Sequence, residues 1–178
     1  MGVPLPLNLG VATTKKRAVF GSLALESYFH KRGTRFIAGV DEVGRGPLAG
    51  PVVAAACLIP PDYHLEGVRD SKAMTPRSRK KVFWDIISQT VIGIGVVGEQ
   101  MIDRINILEA TKLAMVRALK NLRQQADFVI VDGNFPIPIN IPQKSIIRAD
   151  DHIFECMAAS IIAKVTRDRL MQKYHKRY

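Results

Sequence analysis

Apolar and polar positions along the 178-residue chain fall into short apolar runs separated by polar stretches of helical periodicity. The short runs are rich in valine, isoleucine and alanine and are bounded by glycine, proline or polar residues, which is typical of strands. They lie at 35–43, 51–59, 90–97, 128–131 and 145–147. Glycines and Pro47 between the first two runs predict a turn that joins them as a hairpin.

Helices are predicted between and after these strands. Threonine is a good N-cap and proline suits the first helical turn, so Thr75-Pro76 marks a helix start. Residues 99–125 carry an apolar stripe and hold one or two helices. The predicted helices cover 22–31, Thr75 to about Ser88, 99–125 and 151–178, with a loop at 60–72.

The order of these elements predicts the fold class. A hairpin and a third strand, followed by strands separated by helices, favours an α/β protein with one mixed sheet and helices packed on it. A length of 178 residues suits one well-cored domain. We therefore expect a single domain over 1–178, in which 1–18 form a loose arm because they lack periodicity.

Charge narrows the class of partner. The chain has 26 Lys and Arg against 16 Asp and Glu, a formal net charge of +10. Such an excess favours a polyanion, either nucleic acid or an anionic membrane surface, although a basic protein without such a partner is an alternative. No apolar run reaches transmembrane length, and Lys15–Arg17 follow the apolar start, which is the wrong order for a signal peptide. A cytoplasmic protein that does not associate with membranes is expected.

Two further sequence features have structural interpretations. Cys57 and Cys156 lie in apolar surroundings without metal-type spacing, which predicts buried free thiols in a reducing compartment. The stretch Gly93–Gly98 matches the GxGxxG pattern of dinucleotide-binding turns. Its first two glycines fall inside a predicted strand, and no acid follows about twenty residues later, so close packing of a neighbour on the strand is favoured.

Carboxylates end three of the predicted strands. Asp41 and Glu42 close the first, Asp132 follows 128–131, and Asp150 follows 145–147. Neighbouring strand ends of an open sheet converge on one crevice, where crowded acids need a cation. Oxygen ligands without histidine or thiolate select magnesium or manganese, and two such ions can act on a phosphodiester. A metal-dependent nuclease is therefore predicted.

Each acid also has a structural interpretation. Asp150 or Asp151 could be only the N-cap of the last helix, and Asp132-Gly133-Asn134 could be only a turn. Two acids at the end of an apolar strand are harder to explain structurally because desolvating carboxylates is costly. Adjacent strand residues point to opposite faces, so Asp41 and Glu42 share a site only if the backbone twists or one acts from the rim.

Five ordered motifs resemble the ribonuclease HII family of bacteria. The similarity runs from about Leu23 to Tyr178. The segments that carry it are Val40–Val53, Asp70–Lys72, Asn106–Thr111, Val131–Asn134 and Ala158–Asp168.

The resemblance implies a ribonuclease H-like fold with a five-stranded mixed sheet flanked by helices. It implies an endonuclease that uses Mn²⁺ or Mg²⁺, hydrolyses the RNA strand of RNA–DNA hybrids, and incises 5′ of ribonucleotides embedded in duplex DNA. The products carry 3′-hydroxyl and 5′-phosphate ends, and a monomer is expected. The catalytic and metal-binding acids of the family carry over to Asp41, Glu42, Asp132 and Asp150.

The resemblance also implies substrate-binding residues. Gly44, Arg45 and Gly46 resemble a loop whose backbone reads the ribose 2′-hydroxyl, the group that distinguishes RNA from DNA. Backbone-phosphate contacts, or groups that shape the site, are expected at Lys72, Asn106, Thr111 and Lys164, with a surface or capping role as the alternative.

Two departures from the family pattern stand out. Arg148-Ala149 replaces the usual Lys-Gly before the fourth acid, and an additional acid follows at Asp151. The family continues past the last helix into a Gly-Tyr motif whose tyrosine stacks on the substrate. This chain stops at Tyr178, which implies either a truncated chain or a partial loss of substrate grip. A hybrid-binding module without cleavage and a small-molecule phosphotransfer enzyme remain alternative functions.

Overall fold

A computed structural model of the chain describes residues 33–59 and 75–177. The predicted arm at 1–18, the predicted helix at 22–31 and the predicted loop at 60–72, which includes Lys72, lie outside the described residues.

The strands of the described ranges are β1 Ile37–Val43, β2 Val52–Leu58, β3 Val91–Val97, β4 Phe128–Asp132 and β5 Gln143–Ile146. They form one mixed sheet in the order β3-β2-β1-β4-β5. β1 pairs antiparallel with β2, and β2 with β3, whereas β1–β4 and β4–β5 are parallel. The predicted hairpin and the five-stranded mixed sheet are thus confirmed.

Two of the described helices follow their predicted positions. α1 covers Pro76–Gln89, and the Thr75 hydroxyl accepts a 3.2 Å hydrogen bond from the Ser78 N–H, as expected of an N-cap. α2 covers Glu99–Lys120 and has a kink at Asn106, where φ is 67° and ψ is 167°. The choice between one and two helices in this segment therefore resolves as two helical pieces that meet at Asn106.

The predicted start of the last helix at Asp151 was wrong. α3 covers Phe154–Arg177, and Ala149–Asp151 form a separate 3₁₀ turn. Arg148 adopts a left-handed conformation with φ 58°, which redirects the chain after β5. The interpretation of Asp150 as only the N-cap of the long helix is excluded, since the residue lies within the 3₁₀ turn.

Alternate residues of the central strands face two different layers. Ala38, Val40, Val52, Ala54 and Ala56 pack with the buried residues of α2 on one face of the sheet. Ala55 and Cys57 pack with α1 and α3 on the other face. The small side chains let each helix lie close to the sheet, which places α3 directly over β1.

Glycines mark where helices touch the sheet. A Cβ on Gly93 would lie 2.1 Å from the carbonyl oxygen of Ala118, and one on Gly95 would lie 2.0 Å from that of Ala114. The close-packing interpretation of the GxGxxG match is therefore confirmed, with α2 as the neighbour. Gly39 allows a similar close contact on the other face of the sheet, where a Cβ on this residue would lie 2.3 Å from the carbonyl carbon of Glu155.

Both cysteines are buried free thiols, as predicted. Burial raises the pKa of Cys57 to about 12, so this thiol stays protonated at neutral pH. Among the helices of the described residues, none combines the length and apolarity needed to cross a bilayer.

Candidate active site

The parallel pairing of β1 with β4 brings two carboxylates together. Gly39 is opposite Ile130 and Val40 is opposite Val131, so the next positions along both strands are Asp41 and Asp132. Residues two apart on a strand share a face. Asp132 therefore lies on the same face as Ile130, which packs with Cys156 of α3.

The 3₁₀ turn after β5 carries the third carboxylate, that of Asp150. The N–H of Ala149 donates a 2.8 Å hydrogen bond to Oδ1 of Asp132, which fixes the turn against the end of β4. Asp41, Asp132 and Asp150 each offer a carboxylate oxygen, and these oxygens all lie within 4.8 Å of one another. The structure thus brings together three of the four acids that the sequence singled out.

The cluster is electrostatically unfavourable without a counter-charge. Asp41 is 5% exposed and Asp150 is 4% exposed. Burial, followed by the negative charges of Glu42 and Asp132, raises the pKa of Asp41 well above its usual value, and a hydrogen bond with the Ser160 hydroxyl opposes the rise. A cation held by the three carboxylates would offset both the desolvation and the mutual repulsion.

Glu42 takes a different position at the rim of the cluster. Among the described residues it is not a member of the three-carboxylate group. Its Oε1 lies 3.4 Å from Nη1 of Arg45, and its N–H donates a 2.7 Å hydrogen bond to Oδ1 of Asp41. Burial raises the pKa of Glu42, and the Arg45 guanidinium opposes that rise. Strand alternation explains the separation, because Glu42 and Asp41 leave β1 on opposite faces.

The donor set fits a hard divalent cation. The three converging groups are all carboxylates, and no histidine or thiolate belongs to the group. Oxygen donors of this kind suit magnesium or manganese rather than zinc or copper. The side chains that would hold such an ion are therefore Asp41, Asp132 and Asp150, with Glu42 next to them.

The turn between β1 and β2 borders this cluster. Gly44 and Gly50 have φ of 110° and 88°, a region that side-chain-bearing residues rarely adopt. The Arg45 guanidinium lies 5.4 Å from the centre of the Phe135 ring while it also faces Glu42. A Cβ on Gly46 would meet nothing within 4 Å, so packing within the described chain does not require glycine there. Gly46 is exposed among the described residues.

Comparison with known proteins identifies the family. The sequence pattern described as Ribonuclease HII matches residues 38–178, which is most of the chain. The chain belongs to the ribonuclease HII family. It is 48% identical over 157 residues to the ribonuclease HII of Syntrophotalea carbinolica and 50% identical over 155 residues to that of Acetivibrio thermocellus.

These ribonuclease HII relatives are longer proteins. The matches cover 88% and 86% of this chain, but 75% and 60% of the two relatives, respectively. Against the ribonuclease HII of Listeria monocytogenes, the chain spans 59% of the relative's length. A solved structure of ribonuclease H2 from Pyrococcus horikoshii superimposes with a TM-score of 0.71 at 32% identity, covering 80% of this chain and 77% of that one. The ribonuclease H-like fold is confirmed.

The other ribonuclease HII positions singled out in the sequence have local partners. Asn106 is exposed, and its Oδ1 accepts hydrogen bonds from the N–H groups of Leu108 and Glu109 at 2.9 and 3.1 Å, so it caps the second piece of α2. Thr111 is fully buried and donates its hydroxyl to the Ile107 carbonyl, 2.8 Å away. Burial of Thr111 does not suit a direct phosphate contact and favours a role in shaping the site.

Lys164 lies on α3 and is partly exposed. Its Nζ lies 2.7 Å from Oδ1 of Asp168, one turn further along the helix. Such a partly exposed ion pair contributes little to stability.

Sequence reasoning missed three residues that contact the carboxylate cluster or the β1–β2 turn. Ser160 is buried beside Asp41, Phe135 lies under Arg45, and Arg167 is buried against the β1–β2 turn. Ser160 and Arg167 are polar residues among the mostly apolar buried residues of α3. The sequence did offer a signal for these two residues, because each is polar at a position where the neighbouring apolar residues predict burial.

Proposed function

We propose that the chain is a metal-dependent endoribonuclease that hydrolyses the RNA strand of RNA–DNA hybrids. It also incises duplex DNA 5′ of an embedded ribonucleotide and leaves 3′-hydroxyl and 5′-phosphate ends. The observation that carries the proposal is the convergence of Asp41, Asp132 and Asp150 within 4.8 Å, in a chain that belongs to the ribonuclease HII family. The formal net charge of +10 suits a polyanionic substrate.

Asp41, Asp132 and Asp150 are proposed to hold Mg²⁺ or Mn²⁺, with Glu42 contributing from the rim. When bound, the divalent ions supply activation of the attacking water and charge stabilisation at the leaving oxygen of the phosphodiester. The protein's part is to keep the carboxylates in place. Ser160 orients Asp41 through its hydroxyl, and the Ala149 N–H orients Asp132.

Recognition of the ribose is proposed for Gly44, Arg45 and Gly46. Gly44 supplies the backbone conformation, and open space around Gly46 lets a sugar edge approach the main chain. The 2′-hydroxyl both donates and accepts hydrogen bonds, so backbone groups can distinguish RNA from DNA. Lys164 is proposed to contact a backbone phosphate, and so is Lys72, which lies outside the described residues. Asn106 and Thr111 are proposed to shape α2.

The decisive experiment uses a labelled duplex that contains one ribonucleotide. With Mg²⁺ or Mn²⁺ we expect a single nick 5′ of the ribonucleotide, and end analysis should find a 3′-hydroxyl and a 5′-phosphate. An all-DNA duplex and the Asp132→Asn variant are the matched controls. If the chain makes no nick with Mg²⁺ and none with Mn²⁺, the proposal is contradicted.

The same assay separates two other functions. Salt-dependent binding of the hybrid without product would indicate a binding module that does not cleave. A phosphotransfer enzyme for small molecules would show turnover that excess hybrid does not inhibit.

We further propose that the chain acts in the cytoplasm as a monomer with one catalytic domain. Light scattering of the purified protein tests the oligomeric state.

A further inference from the structure

One buried arginine of α3 supports the turn between β1 and β2. Arg167 is 7% exposed. Its Nε donates a hydrogen bond to the Pro51 carbonyl oxygen at 3.0 Å, and its Nη2 donates one to the Ala49 carbonyl oxygen at 2.9 Å. Both acceptors lie on the limb of the turn that leads into β2. The guanidinium therefore satisfies two backbone carbonyl groups of the turn, next to the ends of β1 and β2.

Two glycines of the turn fit closely around this part of α3. A Cβ on Gly44 would lie 2.7 Å from Nε of Arg167, and one on Gly50 would lie 2.5 Å from Sδ of Met171 and 3.2 Å from Nη2 of Arg167. The 2.7 and 2.5 Å separations are too short for a real Cβ, so the absence of side chains at Gly44 and Gly50 lets the turn pack closely against α3. Both limbs of the turn are thus shaped by the same arginine.

The same helix also supports the carboxylate cluster. Ser160, which forms a hydrogen bond with Asp41, precedes Arg167 on α3 by about two helical turns and therefore lies on a similar face. Further toward the N-terminus of α3, the Glu155 backbone contacts β1 at Gly39. α3 is therefore a common support that fixes the acids and the turn relative to each other.

We propose that Arg167 is a positioning residue for substrate recognition by the turn 44–51. It holds the turn against α3, and so sets where Arg45 and the backbone of 44–46 stand relative to the three carboxylates. The proposal rests on the proposed ribonuclease function. Because Arg167 is buried and directed at the carbonyl groups of the turn, it acts through the turn and does not touch the substrate.

The chemistry of the side chain explains why arginine suits this position. Its planar guanidinium presents several N–H donors in a fixed geometry, whereas a lysine ammonium is a compact charge without that fork. Arg167 uses two donors on two carbonyl groups two residues apart. A turn released from Arg167 should therefore recognise the ribose less well.

The test compares Arg167→Gln and Arg167→Lys with a matched control on the same helix. The control, Arg169→Gln, removes the same charge two residues away, where the guanidinium stacks on Phe83 and Trp84 at 4.5 and 5.2 Å from the ring centres. Kinetics are measured on the duplex with one ribonucleotide. We expect KM to rise about 10-fold in both Arg167 variants, with kcat within about 2-fold, because the turn contributes substrate binding and does not carry the metal-binding carboxylates. The control should keep the KM of the unsubstituted chain.

Hydrogen exchange gives a readout that does not depend on turnover. In Arg167→Gln, the peptide that covers the turn 44–51 should exchange faster than in the unsubstituted chain, while peptides from β2 and β3 should not change. The rise in melting temperature on adding Mn²⁺ should also persist, since the carboxylates keep their places. A purely structural role predicts instead that kcat, KM and the Mn²⁺ response all deteriorate together.

If Arg167→Gln does not fold, Arg167→Lys and Gly50→Ala provide the same test. Gly50→Ala disturbs the contact from the side of the turn and leaves Arg167 intact, so it should reproduce the rise in KM. Unchanged KM and unchanged exchange in the folded variants would overturn the proposal. Lack of cleavage by the unsubstituted chain would overturn the ribonuclease function itself, and the exchange experiment would still show whether Arg167 holds the turn.

Discussion

The N–H of Ala149 donates a 2.8 Å hydrogen bond to Oδ1 of Asp132 and thereby joins the turn that carries Asp150 to the end of β4. One oxygen of Asp132 is thus engaged with the backbone and helps to place a neighbouring carboxylate. The position of Asp150 therefore depends on Asp132, so these carboxylates are structurally coupled.

Asp132→Asn should separate this structural contribution from chemistry. The asparagine carbonyl can still accept the hydrogen bond from Ala149, so we expect a melting temperature within about 4 °C of the unsubstituted chain, equivalent to less than about 1 kcal/mol. Loss of the charge should lower metal-dependent cleavage by more than about 100-fold. Circular dichroism and the nicking assay measure the two effects, and retained turnover would remove Asp132 from the mechanism.

Asp41→Asn should stabilise the metal-free protein. Asp41 is buried and its charge is opposed by Glu42 and Asp132, so a neutral side chain of the same shape should raise the free energy of unfolding by about 1 kcal/mol. The variant should also lose the stabilisation by Mn²⁺ and the cleavage activity. Urea unfolding with EDTA and with Mn²⁺ measures both effects. A metal-free Asp41→Asn protein less stable than the unsubstituted chain would contradict this account of the site.

The pH dependence of stability follows from the same carboxylate. The folded-state pKa of Asp41 lies above its ordinary value of 3.8, so the folded protein binds more protons than the unfolded chain. Without metal, stability should therefore fall as the pH rises from about 3.8 through the raised folded-state pKa. Protons and metal compete for this group, so Mn²⁺ should bind more weakly at the acid end of that range.

Thermal unfolding across that pH range, with EDTA or with Mn²⁺, measures this dependence. Asp41→Asn is the matched control, since asparagine does not titrate. The metal-free stability of this variant should therefore depend less on pH. Identical pH profiles for the two proteins would show that Asp41 does not titrate as described.

Two substitutions of Asn106 can distinguish a helix-capping role from a substrate contact. Its side chain accepts from Leu108 and Glu109, so Asn106→Ala should lower the free energy of unfolding by about 1 kcal/mol or more. Asn106→Asp keeps an acceptor and should largely preserve stability. If KM for the hybrid follows stability across the two variants, capping explains the residue. A rise in KM for Asn106→Asp at unchanged stability would instead indicate a phosphate contact, because the new carboxylate would repel it.

Gly46 and Gly93 form a matched pair of glycine-to-alanine substitutions. Gly93→Ala would place a Cβ 2.1 Å from the Ala118 carbonyl oxygen, so it should destabilise the fold by about 1–3 kcal/mol. Gly46→Ala meets nothing within 4 Å and should change stability by less than about 0.5 kcal/mol. Only Gly46→Ala should raise KM without loss of stability. An unchanged KM for that variant would argue against close approach of a sugar at the turn.

Much of the fold follows from local sequence pattern. Valine-rich runs gave strands close to Ile37–Val43 and Val52–Leu58, and Thr75-Pro76 marked the start of α1, because strand alternation and N-capping are local effects. The start of α3 was missed because the left-handed Arg148 and the hydrogen bond from Ala149 to Asp132 depend on contacts across the sheet. Local pattern contains no information about such contacts.

The sequence by itself singled out Asp41, Glu42, Asp132 and Asp150 as candidate acids, because they end or follow apolar strands and match the acids of the family that the motifs resemble. Only the tertiary structure decided that three of them converge while Glu42 lies beside Arg45. The parallel pairing of β1 with β4 places Asp41 beside Asp132, although they are far apart in sequence. The tertiary structure also revealed Arg167, whose two carbonyl partners lie on a turn more than a hundred residues earlier. Strand order and long-range packing set these positions, because they are properties of the assembled sheet and not of any single segment.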